Sequence, residues 1–138
     1  MRTRALLLTI AGAMLGLSPV RAQVIVVHSA AKIAEISRSD LRDIFIGAST
    51  SFRDGSRAIP VTLKDGPVHE EFLKNYLGRS NTAFLALWRA LLFAGHGTMP
   101  QAFDTEAMLI DRVASAPGTI GYIGVSTKCE KVKALVVK

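Results

Sequence analysis

The sequence is poor in the residues on which most metal and covalent chemistry depends. Its 138 residues include one cysteine, Cys129, so no internal disulfide can form. Three histidines, His28, His69 and His96, are scattered along the chain with neither an HExxH pair nor a Cys pair near them, so zinc finds no ligand spacing and no metal is expected. A GxSxG nucleophile elbow is missing, and the one serine that directly follows a strand-like run is Ser29. No glycine-rich loop of Walker or dinucleotide type occurs, which removes the usual cradle for a nucleotide cofactor, and no cofactor is expected. Lys and Arg outnumber Asp and Glu by 17 to 11, but without the clustering and aromatic interleaving of a nucleic-acid binder. Repeats and low-complexity tracts are absent as well. A non-enzymatic protein is the expectation. The remaining enzyme reading, a hydrolase using Ser29 with His28 or His69, requires those side chains within hydrogen-bond reach of one another.

Long apolar runs are also scarce. The one that stands out, Ala5 to Leu17, is well short of the roughly 20 residues a membrane-spanning helix needs. Arg2 and Arg4 precede it, and Ser18-Pro19 followed by Val20-Arg21-Ala22 closes it, the pattern of a secretory signal peptide over residues 1–22. Cleavage after Ala22 removes three arginines and with them half of the formal charge of +6. Cys129 is far from that cleavage point, where a lipid-bearing cysteine would sit. An exported, unanchored, periplasmic protein is expected, with residues 23–138 as one domain. A composition 49% hydrophobic and 20% charged suits one folded core and excludes a mainly disordered chain.

Hydrophobic spacing then orders the elements. Gln23 to His28 reads as a buried strand, and Ser37 or Ser39 caps a short helix over Asp40–Phe45 that stops before Gly47. The turn Asp54-Gly55 leads into a strand from Ala58 to Leu63, where Pro60 argues for an edge or starting position. Gly66-Pro67 opens a second helix that ends at Gly78, with Val68, Phe72, Leu73 and Tyr76 on one face. A third helix from Ser80-Asn81 has an apolar face, Phe84, Leu87, Trp88, Leu91 and Leu92, wide enough to be largely buried. After a linker through Pro100, Asp104 caps a fourth helix holding Met108, Leu109 and Val113. Pro117-Gly118 turns into the strand Thr119–Ile123, and Val132 to Val137 is the last strand. Alternating short strands and helices predict a single α/β domain.

The most informative local pattern is Lys64-Asp65-Gly66-Pro67-Val68-His69, which leaves a strand and enters a helix. Free N–H groups and the positive helix end would face the same space as the Lys64 ammonium and His69, a geometry suited to an oxyanion; alternatively Gly66-Pro67 is only a tight connection with Lys64 solvated. Ser29 adds a hydroxyl if the two strand ends adjoin, since α/β sheets hold ligands at the carboxyl ends of their strands. Ser29, Lys64, Asp65, Gly66 and His69 are therefore the expected ligand-binding set.

Four segments, LRDIFIGASTSFRDGSRAIPV, LKDGPVHEEFLKNYLG, LWRALLFAGHGTMP and APGTIGYIGV, together resemble the phosphate-type periplasmic substrate-binding proteins of ABC transporters, over about Leu41 to Val125. The resemblance implies the type II periplasmic-binding fold: here a single lobe with a small central mixed sheet flanked by helices. It further implies a solute-binding role, with phosphate or another small oxyanion as ligand and an ABC permease or a membrane sensor as partner. Two departures stand out. The family's Asp-Gly-Ser-Gly-Thr phosphate run keeps only Asp65-Gly66 here, because Pro67, Val68 and His69 take the remaining places and Pro67 supplies neither hydroxyl nor N–H. The length also matches one lobe where family members use two, so the missing wall would come from a homodimer or a partner protein. The alternative is an interaction or regulatory adaptor domain without a small ligand, with Phe52, Met99 or Phe103 on its docking face.

Overall fold

The computed structural model describes residues 23–138, Cys129 excepted. The expected signal segment, 1–22, and the Cys129 thiol thus lie outside the described residues. The β-branched run VIVV forms β1 (Val24–Val27), buried at three of its four positions. β2 (Glu35–Ile36) is short and leads into α1 (Arg38–Phe45), where the Ser37 hydroxyl accepts the Asp40 N–H at 3.1 Å and so satisfies one of the free donors of the first turn. β3 (Ile59–Leu63) precedes α2 (Pro67–Phe72), and the same rod continues as a π-helical segment, Leu73–Leu77, before Gly78 stops it. α3 (Asn81–Phe93), β4 (Gln101–Phe103), α4 (Glu106–Ser115), β5 (Thr119–Ile123) and β6 (Lys133–Val137) complete the order.

The strands form one six-stranded sheet in the order β2-β6-β1-β5-β3-β4. β1 runs antiparallel to both neighbours, while β3 is parallel to β4 and β5, and β2 to β6. Every residue of β5 is buried, which requires cover on both faces of the sheet. Leu41, Ile44 and Phe45 of α1 supply part of that cover, as do Phe72 and Leu73 of the α2 rod and Leu109, Ile110 and Val113 of α4. The expected mixed sheet flanked by helices is therefore what the chain builds. No helix among the described residues is long and apolar enough to cross a membrane.

Several local expectations need correcting. Pro60 marks the start of a strand but not an edge: β4, read from sequence as linker, pairs with β3 from Val61 onward and takes the outer position. Pro60 lies just before that ladder begins, where a missing N–H costs nothing. Thr105 caps α4, its hydroxyl accepting the Met108 N–H at 3.2 Å, because Asp104 turns outward to pair with Lys64. α3 buries only Phe84 and Trp88, while Leu92 and Phe93 stand in solvent, Phe93 at 95% exposure. Phe52 and Phe103 belong to the core and so cannot form a docking face; of the three side chains expected there, Met99 alone is exposed.

Candidate functional site

The carboxyl ends of β3 and β5 point the same way, and the chain leaves β3 there through Lys64-Asp65-Gly66 into α2. Pro67 occupies the first helical position. The N–H groups of Val68 and His69 precede the first intrahelical bond, Glu70 N–H to the Gly66 carbonyl at 3.0 Å, and neither meets an acceptor among the described residues. Of the two, only Val68 is partly exposed, so one accessible free donor at a helix entry that follows a lysine is what remains of the expected anion corner.

The other expected members are placed differently. Ser29 follows β1, whose Val27 is level with Ile120 at the start of β5, whereas Val24 is level with Ile123 at its end. Because β1 is antiparallel to β5 and β5 is parallel to β3, Ser29 comes out at the opposite end of the sheet from Gly66. At about 3.3 Å per residue along the strands, the two corners are on the order of 20 Å apart. The expected hollow shared by Ser29 and Gly66 is not formed. The Ser–His hydrolase pair is not formed either: His69 is at the far end, and His28, whose Nδ1 accepts the Ala30 N–H at 3.1 Å, makes no hydrogen bond with Ser29.

His69 does not face solvent or a ligand, being 1% exposed with both ring nitrogens engaged. The hydrogen-bond directions follow from the donors. Leu63 N–H donates to the Tyr122 hydroxyl at 2.9 Å, so that hydroxyl gives its own proton to His69 Nδ1, and the His69 Nε2–H then donates to Asn81 Oδ1 at 2.9 Å. One neutral tautomer satisfies the whole chain, which ties β3, β5, α2 and α3 together. Burial pushes the Tyr122 phenol upward from its ordinary value near 10, keeping it the proton donor this arrangement needs. Its ring lies flat on Phe72, with centroids 3.8 Å apart. The residue type suggested a ligand contact; the i, i+3, i+4 spacing of His69 with Phe72 and Leu73 was the available sign of burial.

The corner residues also divide between two hollows. Lys64 borders a hollow of about 260 Å³ beneath α3, where its ammonium pairs with Asp104 at 3.0 Å. Pro67 and Val68 border another, about 290 Å³, on the β1 side with Gln23, Glu71 and the segment Gly124–Ser126. That second hollow contains the Glu71 carboxylate, which accepts from Gln23 Nε2 at 3.0 Å, and no cationic side chain lines it. Beneath it, Glu106 in the first turn of α4 organises the loop after β5: one oxygen accepts the Gly124 N–H and the other the Thr127 hydroxyl at 2.9 Å. Asp65 is exposed. Sequence reading missed Glu71, Glu106, Asn81 and Tyr122, because what they do depends on contacts between elements remote in sequence. Among the described residues, no three His, Cys, Asp or Glu side chains stand close enough together to hold a metal ion.

No family model matches the chain, and no curated protein matches it. Its fold does match solved structures. An ABC-type phosphate transport receptor from Vibrio cholerae aligns with a TM-score of 0.65 and 16% identity, over 85% of this chain and 46% of the receptor. The protein PstS from Borrelia burgdorferi aligns with a TM-score of 0.66 and 15% identity, over 86% of this chain and 47% of PstS. The chain thus spans about half the length of these neighbours, the first of which is a phosphate transport receptor by name. At such identities the likeness is one of fold, and that fold is the α/β lobe of a periplasmic phosphate-binding protein.

Proposed function

We propose that this chain is an exported solute-binding-type lobe whose Gly66–His69 corner recognises a small oxyanion weakly on its own, and in full only when a partner at the membrane supplies the second wall. The observation that supports this reading is the unbonded, half-buried amide of Val68 at the helix entry that follows Lys64 at the carboxyl end of β3. The fold is that of phosphate receptors, and the chain spans less than half of theirs. An open half-cleft leaves the ligand wet, so each contact is worth little. One amide bond and one screened ammonium amount to about 3 kcal/mol, or a Kd of about 6 mM. An ABC permease or a membrane sensor would be the partner, in the periplasm.

Thermal denaturation of the purified protein across phosphate, sulfate and chloride tests the reading. Phosphate and sulfate in the millimolar range raise the Tm; the shift shrinks in high salt and disappears in Lys64→Ala. If no oxyanion shifts the transition at concentrations well above about 6 mM, oxyanion recognition by this chain is refuted. Two features favour a second reading, an interaction or adaptor domain without a small ligand: Pro67 has removed a donor from the corner, and the Glu71 carboxylate lines the adjoining hollow. That reading predicts an indifferent anion panel together with association that depends on protein concentration or on a membrane partner.

A further inference from the structure

A further cavity is at the other end of β3 from the Gly66–His69 corner. It is an open groove of about 440 Å³ at the starts of β3 and β4. Its exposed apolar lining comes from Ile59 and Met99, with Pro60 and Pro100 partly exposed, and the buried Val61 and Trp88 of α3 lie behind them. Arg57, which precedes β3, and Arg112, in the last turn of α4, stand at the rim with His96 and the hydroxyl-bearing Thr50 and Thr98. No carboxylate is among the residues that line it. The two guanidinium groups have no hydrogen-bond or ion-pair partner among the described residues, whereas Arg53, Lys64, Lys131 and Lys138 each pair with an acidic side chain.

A volume in the range of small-molecule sites, an apolar floor and a rim of one sign together define a ligand chemistry. Guanidinium groups pair best with planar oxyanions such as carboxylate. A bare inorganic anion would leave the exposed side chains of Ile59 and Met99 in contact with water, so the ligand needs hydrocarbon as well as charge. We propose that this groove binds an organic anion with an apolar body, an arylalkyl or medium-chain carboxylate, its head at the Arg57 and Arg112 rim and its body on Ile59 and Met99, above the buried Trp88. The site is independent of the oxyanion corner, since the two lie at opposite ends of one strand.

Trp88 is the only tryptophan in the sequence and lines the groove, so its fluorescence reports occupancy directly. The experiment titrates the purified protein with phenylacetate and octanoate, using neutral phenylacetamide and inorganic phosphate as comparisons. Both carboxylates change the emission saturably in the millimolar range or below, and neither comparison compound does. The double variant Arg57→Gln/Arg112→Gln weakens carboxylate binding about tenfold or more, while Lys64→Ala leaves it unchanged. Both arginines are exposed, so the variant should keep the parent's circular dichroism and Tm, and Arg112→Gln alone repeats the test if it does not. The proposal is overturned if neither carboxylate gives a saturable change, if phenylacetamide binds as well as phenylacetate, or if the charge-free rim binds like the parent. A phosphate effect that is lost in Lys64→Ala would instead report on the corner at the other end of β3.

Discussion

Replacing Tyr122 by Phe removes one oxygen atom from the core, and the structure indicates what that atom is worth. The ring keeps its stacking on Phe72, so the apolar contribution barely changes. The Leu63 N–H loses its acceptor, at a point where the β3 ladder to β5 has already ended at Pro60, and His69 Nδ1 loses its donor. Both groups are buried, and stranding each costs about 1–3 kcal/mol, so the variant should be about 2–6 kcal/mol less stable. At about 4 °C per kcal/mol for a domain of this size, the Tm falls by about 8–24 °C. Urea unfolding reads the same change as a lower midpoint at an unchanged m-value, and amide exchange at Leu63 accelerates selectively. There is also a pH signature. The folded state raises the Tyr122 pKa, so above the unfolded value near 10 the unfolded chain releases a proton that the folded chain retains. Stability attributable to this group is complete below that pH and declines as pH rises past it, by about 1.4 kcal/mol per unit, a slope that Tyr122→Phe should reduce. A variant that melts within about 2 °C of the parent would refute the claim that the hydroxyl satisfies two buried groups.

Two further substitutions separate other causes. Gly118 has φ of +83°, and a Cβ there would lie 2.7 Å from the Arg57 carbonyl oxygen, whereas Gly55, with φ of +85°, has open space. Gly118→Ala should therefore cost about 2–5 kcal/mol and Gly55→Ala only about 1–2 kcal/mol, compared by urea midpoints; equal losses would show that conformation alone, not the close approach, sets the cost. Glu106→Ala strands the Gly124 N–H and the Thr127 hydroxyl, and is expected to cost about 1–3 kcal/mol with faster exchange at Gly124, while an unchanged exchange rate would mean that the loop holds itself.

The sequence by itself determined the elements and their class. Caps such as Ser37 and Ser80, stops such as Gly78, and the strand-forming runs VIVV and TIGYI act within a few residues, so they are legible without knowing the partners. The alternation of those elements was enough to predict a single α/β domain, and the family resemblance implied the lobe with its mixed sheet. Only the tertiary structure decided which strand ends meet: β1 runs antiparallel to β5, a pairing across nearly the whole chain, and that direction sends Ser29 away from Gly66. Tertiary contacts likewise turned His69 from a ligand contact into a buried link between Tyr122 and Asn81, and made a strand of Gln101–Phe103 by giving it β3 to pair with. The physical reason is the same in each case: a side chain's chemistry is local, but its surroundings are fixed by pairings between residues that the chain order keeps far apart.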